Sequence, residues 1–429
     1  MIVLEIKRSK LGKLRRLDPE YYNPELLRLE KSLEGALSLG DFVDIRVGRT
    51  MNSDIKKGEF HYIKTGDFKE GGVDLGQCFR ADNINGVDLK VSDIVITRKG
   101  SVGNAWLVNV QGGGALISSE VFRLRAIEDA LIDSSYLAAY LESFYGQAQI
   151  LRLQSGMSIM SISQADLRNV KVVFVGNKDE IAREYKLASD LLVESDKLNK
   201  LAEELFNDSV LFEKGGSNLR SGFKVGISEI KKNDNFDAQF FIIRSAIKNV
   251  VLLNEISEIC SGTEVGVTNY QDGGVQFMRV GNITKCGFIN KSQQYISKQL
   301  FQELKERYQP KQNEVLLTKD GTPGVAMVVT GDIDAIISGG IVRLKVGSSN
   351  ISPYYIALSL SSKYGQEQIR ALVGGSNIKH LKIKDIGRIK IPILSIEIME
   401  EIAKLVQKSI KLRKRGLRLK KEVIKNIRI

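Results

Sequence analysis

The chain is written twice, and this duplication constrains its fold more than any other feature. DIVITRKGSVGNA (Asp93 to Ala105) recurs as NEVLLTKDGTPGVA (Asn313 to Ala326), aligning Thr97 with Thr318, Gly100 with Gly321 and Gly103 with Gly324. Further blocks follow in the same order in both halves. LDPEYY (17–22) answers FDAQFF (236–241), YIKTGDF (62–68) answers FMRVGNI (277–283), and VFRLR (121–125) answers IVRLK (341–345). SYLAAYLESFYGQAQI (135–150) answers YYIALSLSSKYGQEQI (354–369), and DLRNVKVVFV (166–175) answers DIGRIKIPIL (385–394). Matched positions lie roughly 215 to 221 residues apart, about half of the 429-residue chain. So long a period marks a duplicated domain pair rather than a solenoid. Two similar units in one chain imply a pseudo-twofold, the intrachain counterpart of a symmetric dimer.

Within each unit, short β-type runs such as FHYIK, DIVITR, AWLVNV and VFRLRA alternate with Gly-rich turns. One amphipathic helix is expected around Ser135–Leu153 and again around Tyr354–Leu372, before a closing strand, VKVVFV or IKIPIL. A long proline-free helix ends each unit. In the first, Leu191, Leu198, Leu205 and Phe212 recur every seven residues, with Leu187 and Leu201 in the partner row. In the second, Leu405, Leu412 and Leu419 do so, with Ile402 and Val423 alongside. Heptads of this kind predict a coiled-coil seam, which Glu194, Ser409 and Gly416 interrupt. The fold class is therefore α+β: two similar α/β domains separated by two long antiparallel coiled-coil helices. The expected divisions are 1–179, first domain; 180–214, first helix and linker, ending in KGGSN (214–218); 215–396, second domain; and 397–429, second helix.

Charge sharpens the pairing. The chain carries a net +12, but residues 180–214 are net −4 and 397–429 net +7. Each helix would repel its own copy and attract the other, so the expected pair is intramolecular. The domains hold +1 and +8. A basic surface favours polyanions such as nucleic acid, through phosphate contacts and counterion release.

Several classes of chemistry lack their residues. No two prolines adjoin, so there is no [DN]-P-P-[YF] turn of an amino-methyltransferase. The pair Gly12-Lys13 is followed by Leu14, so no Walker A loop exists for ATP, and no G-x-S-x-G elbow is present. Two histidines, His61 and His380, exclude a histidine-rich metal site, and Cys78, Cys260 and Cys286 form no CxxC. No apolar run spans a bilayer and the N-terminus carries no signal-peptide pattern, so a cytoplasmic location without a membrane is expected.

Two α/β globules alternating with two long helices resemble the specificity subunit of Type I restriction–modification enzymes over the whole chain. The resemblance rests on the Asp-x-x-aromatic-aromatic openings (DPEYY, DAQFF), the KTGD and RVGN turns, the Thr-Arg/Lys strand with its Gly-rich turn, and the closing strand, all repeated in order. The first closing strand departs from the pattern by lacking the proline that the second has at Pro392. The resemblance implies a non-catalytic reader of double-stranded DNA, each globule a target recognition domain for one half of a bipartite, asymmetric sequence. It also implies that the helices act as a spacer and dock two methylase subunits, with restriction/translocase subunits as further partners. The chain itself would hold no cofactor; S-adenosylmethionine and ATP are expected on those partner subunits. About 33 helical residues give a rod of ~50 Å, matching roughly 15 base pairs. The alternative is a protein-interaction scaffold, two modules on a coiled-coil strut without DNA.

Candidate DNA contacts lie on the loops. Arg98, Lys99 and Ser101, with Lys319 and Thr322 in the second copy, sit where a buried strand enters a Gly-rich turn, from which an arginine reaches guanine O6 and N7. The competing interpretation is a hairpin with solvated cations, and its repetition in both copies favours structure, because base-reading loops should differ. Lys64 and Arg279 precede the Gly66 and Gly281 turns. Arg49, Lys56 and Lys57 lie in a polar loop, and Lys285 lies past the turn in the second copy. Tyr62, Phe277 and Trp106 read as core, and the histidines have no partner cluster. The basic run from Lys411 to Arg415 suits either DNA or an acidic partner surface.

Overall fold

A computed structural model describes residues 19–54, 57–82, 87–127, 132–156, 158–213, 226–227, 249–285, 287–289, 292–347, 351–373 and 380–428. Lys56, Cys286, the KGGSN linker, Asp18 of the first opening motif and the whole second opening lie outside these residues, as does the side chain of Phe212. The chain divides into two compact units, Met1–Glu194 with Leu412–Ile429, and Ser195–Lys411. Each unit thus comprises one globule and a segment of both long helices, rather than a globule with a separate strut. The first long helix runs Lys178–Glu213 and the second Ile396–Asn426.

In the first unit, the strands Val43–Val47, Val121–Ala126, Ile94–Thr97 and Ala105–Leu107 form an antiparallel sheet in that spatial order. Ile94–Thr97 is buried on both faces, which explains its unbroken Ile-Val-Ile-Thr run. A second sheet orders Phe79–Ala81, Phe60–Ile63, Leu116–Ile117 and Val87–Asp88, the middle two parallel. The closing strand, Lys171–Val172, pairs with Leu37–Ser38.

The second unit repeats this plan. Ser257–Ser261, Ile341–Val346, Val315–Thr318 and Ala326–Val328 form its antiparallel sheet. Gln294–Ile296, Val275–Met278 and Ala335–Ile337 form the mixed one. Its distinguishing element is the helix Lys298–Tyr308, which packs on Ala335–Ile337 through Phe301.

The expected single helix of each globule is two helices, Ser134–Glu142 with Phe144–Leu153, and Pro353–Ser361 with Lys363–Leu372. Ser143 and Ser362 take extended backbone at the junction, and their hydroxyls cap Gly146 and Gly365. The glutamines of YGQAQI and YGQEQI explain why this block is the best preserved. Gln147 and Gln366 donate to the carbonyls of Gly103 and Gly324, at 2.8 and 2.7 Å. Gln149 and Gln368 bond both the N–H and the carbonyl of Lys171 and Lys390, tying the helix to the closing strand. These repeated polar residues are anchors, Gln368 buried and the other three half-buried, and covering an amide is favourable only when its hydrogen bonds are made.

The long helices run antiparallel within each unit, with a seam displaced from the leucine rows. In the first unit Ile181, Tyr185, Ala188 and Leu192 face Gly416, Lys420, Val423 and Ile427. In the second, Ser195, Ala202, Phe206 and Val210 lie buried with Met399, Ile402, Val406 and Ser409. These positions step by three, four or seven residues, the coiled-coil spacing. Ile402, Val423 and Leu198 are buried, while Leu191, Leu205, Leu405, Leu412 and Leu419 flank the seam half-buried. Leu187 and Leu201, assigned to the seam from their spacing, are 45% and 50% exposed. Small residues explain the shift. Ala188, Ser195, Ala202, Ser409 and Gly416 let the backbones approach, so residues that interrupt the leucine row occupy the interface. Ser409 donates to the Ser195 carbonyl at 2.8 Å, and their hydroxyls are 3.0 Å apart.

The basic segment is anchored to its globule as well as to a helix. Lys420 pairs with Glu142 at 2.8 Å and Lys421 with Glu70 at 2.9 Å. Tyr185 donates to the same Glu142 carboxylate at 2.6 Å, and its burial pushes the phenol well above its usual range.

Candidate nucleic-acid interface

Four loops meet at one edge of each unit because four strand ends are stitched together by backbone hydrogen bonds. In the first unit the N–H of Arg49 reaches the carbonyl of Ile117, that of Ser118 reaches Ile63, and those of Arg98 and Lys99 both reach Glu120. The structure therefore gathers the loops bearing Arg49, Lys64, Arg98, Lys99 and Ser101 around Ser118–Glu120. The second unit uses the same stitches: Thr263 to Ile337, Ser338 to Met278, and Lys319 to Gly340. Gly48 and Gly262 make the crossing possible. A Cβ at either would lie 2.2 Å from the carbonyl oxygen of Ser118 or Ser338, closer than any side chain tolerates.

The Gly-rich turn is fixed by a buried threonine. Thr97 and Thr318 donate to the carbonyls of Ser101 and Thr322 and accept from the N–H of Asn104 and Val325. The turn is thus structural in both copies, whereas the side chains it presents differ: Arg-Lys-Gly-Ser in one and Lys-Asp-Gly-Thr in the other. Arg98 is half-buried, donating to the Ser119 carbonyl at 3.0 Å above the Phe122 ring. Lys99 and Ser101 are exposed. Lys64 holds its ammonium 3.6 Å from the centre of the Phe79 ring, a cation–π contact that keeps the charge at the surface on a packed stem. Arg49 and Lys57 are exposed.

In the second unit Arg279 donates to the Ser292 carbonyl at 2.7 Å, while its Nε has no hydrogen-bond partner among the described residues. It lines a cleft of about 440 Å³ with Glu264, Tyr270, Phe277, Asn282 and Ser338. Lys319 pairs with Asp320 at 2.9 Å, and Asp320 also pairs with His380. Burial raises the Asp320 carboxyl, but hydrogen bonds from Lys319 and His380 outweigh it and hold it below the usual range. His380 thus has a partner that the sequence did not disclose. Thr322 is exposed on the turn. Lys285 is exposed on the hairpin of Ile283–Thr284 and Gly287–Phe288, where its ammonium is 3.4 Å from the Ser361 carbonyl. Trp106, Tyr62 and Phe277 are buried core residues.

The sequence comparison missed Thr50, Thr65, Ser119 and Glu120 of the first edge, and Glu264 and Asp320 of the second. Their signal was divergence between copies at loops flanked by matched strands.

The KTGD and RVGN turns share one geometry, in which Asp67 and Asn282 accept the N–H of Lys64 and Arg279 at 2.7 and 3.0 Å. Burial raises the Asp67 carboxyl above its usual value, so the folded state binds its proton more tightly than the unfolded chain does. That stability is present below the ordinary carboxylate range, near pH 4, and is lost as pH rises through the folded value. Asp67→Asn copies the second unit. It is expected to raise thermal stability at neutral pH and flatten the decline above about pH 4, as melting curves at stepped pH would record.

The arrangement defines a class: two tandem domains of one fold, each with a loop-built polar edge, on paired helices. A profile of the Type I restriction modification DNA specificity domain matches residues 36–182 and again 247–425. The chain belongs to that family of Type I restriction–modification specificity subunits. No curated protein sequence matches it. Among solved structures, the S subunit of a Type I restriction–modification system from M. genitalium is similar at 15% identity, covering 90% of this chain and 94% of that one with a TM-score of 0.45. The HsdS subunit from Thermoanaerobacter tengcongensis is similar at 14% identity, covering 91% and 95% with a TM-score of 0.28. Among the described residues no helix is long and apolar enough to cross a membrane, and no His, Cys, Asp and Glu cluster is placed to hold a metal ion.

Proposed function

We propose that the chain is the non-catalytic DNA reader of a Type I restriction–modification complex, each unit recognising one half of a bipartite, asymmetric target. One observation carries this: the two loop edges share their backbone stitches and turns but present different side chains. A common scaffold with divergent tips suits two readers of different sequences. Exposed Arg49, Lys57 and Lys99 suit phosphate, while polar side chains among them suit base edges.

The long helices serve as the spacer and as the docking site for two methylase subunits. Leu187 and Leu201 lie outside the seam and offer apolar surface on the first helix. S-adenosylmethionine would bind those partners, and ATP a restriction/translocase subunit.

Sequencing methylated sites in a host with and without this gene tests the reading directly: loss of a bipartite methylated motif on deletion supports it, and an unchanged methylome sinks it. The spacer is tested by removing one heptad from each helix, residues 196–202 with 402–408, which preserves the three-and-four seam register. Seven residues shorten a helix by ~10 Å, roughly three base pairs at ~3.4 Å each. The expected target keeps both half-sites with a spacer shorter by about that amount; an unaltered spacer would refute the ruler.

A further inference from the structure

We propose that Glu264 is a specificity-determining residue of the second unit, its carboxylate accepting a hydrogen bond from the exocyclic amino group of a base in the DNA major groove. This rests on the DNA-reading function above and assigns one contact within it.

Four observations converge. Glu264 is exposed at the mouth of the cleft it shares with Arg279 and Tyr270. Among the described residues its carboxylate has no hydrogen-bond or ion-pair partner, so it is available to a ligand. Room for it is built in: a Cβ on Gly339 would lie 2.2 Å from Glu264 Oε1. In the first unit the corresponding stitched loops carry Thr50 and Ser119 instead, whose hydroxyls are 2.9 Å apart. One copy thus closes this position with a neutral pair, while the other holds a carboxylate against a glycine.

Chemistry then selects the ligand. A carboxylate on a surface that meets DNA is repelled by phosphate, and is tolerated where it meets a donor. The donors on major-groove base edges are cytosine N4 and adenine N6; guanine O6 and thymine O4 are acceptors that Glu264 would reject. Cytosine is the favoured partner, because glutamate accepts from its single amino group, while adenine is better matched by a side-chain amide. Arg279, in the same cleft, is placed to take a neighbouring guanine or phosphate.

The test uses the complete methyltransferase, this chain with its methylase partner, in a host without other adenine methylation, read by sequencing methylated sites. The unaltered complex is expected to require cytosine, or alternatively adenine, at one position of the half-site read by the second unit. Glu264→Gln keeps size and exposure but adds a donor. It should reduce discrimination at that position by about ten-fold or more and leave the other half-site intact. Gly339→Ser, which displaces the carboxylate, should disturb the same position. Glu264→Thr with Gly339→Ser, restoring the pair seen in the first unit, should give a defined new preference there. Unchanged preference in all three variants, or guanine or thymine required where they act, overturns the assignment while leaving the functional reading in place. Absence of any sequence-specific methylation by the unaltered complex overturns both.

Discussion

A chimera that takes residues 1–194 from another family member but keeps its own residues 412–429 is expected to lose the fold of its first unit. The second long helix supplies Val423 and Ile427 to that unit's core, where they pack with Tyr136, Ile181 and Tyr185, and Lys420 completes the buried pair with Glu142. A mismatch at each large apolar position costs about 2–5 kcal/mol when it leaves a cavity. An unpaired buried charge costs about 3–5 kcal/mol. Domains of this size have only ~5–15 kcal/mol to lose. Solubility and thermal unfolding of two chimeras decide the matter: the exchange of 1–194 alone should aggregate or melt early, and the exchange of 1–194 together with 412–429 should fold. In the second chimera only one half of the methylated target should change. Equal stability of the two would mean that the helix segment contributes nothing to the first unit.

Gly416→Leu is the single substitution expected to do most damage to the helix pair. A Cβ at this position would lie 3.0 Å from the Ala188 carbonyl oxygen and 3.1 Å from the Leu192 side chain. The backbone oxygen cannot swing aside, so leucine forces the helices apart. Overpacking of this kind costs about 1–3 kcal/mol, and separation of the seam adds the loss of contacts from Val423. Gly416→Ala is the informative control. Alanine gains about 1 kcal/mol of helix propensity over glycine, which should nearly offset its tight contact and leave stability little changed. Denaturant unfolding of both variants separates the effects. A leucine variant as stable as the parent would show that Gly416 is a surface position.

How much was legible in the chain depends on the kind of residue. The duplication, the α+β class, the two long helices and their pairing with each other followed from repeated blocks, periodicity and opposite charge. Thr97, Gln147 and Gln149 are repeated because each satisfies backbone groups that both copies possess. Other features were not legible, for physical reasons. Leucine periodicity marked the seam one row away, because close helix contact selects Ala188, Ser195 and Gly416, residues with no apolar signature. Lys285 is exposed past the RVGN turn, and its approach to the Ser361 carbonyl is a contact distant in the chain that no local pattern shows.

The sequence by itself therefore determined the architecture and identified the turn residues, since repeats and periodic burial are local patterns. Only the tertiary structure decided which loops share an edge. Arg49, Ser119, Arg98 and Lys64 are far apart in the chain and meet because parallel and antiparallel strand ends are stitched at Ile117 and Glu120. It also decided that the helix segments belong to the globules they brace: burial of Val423 and Ile427 is a long-range contact that no local pattern encodes.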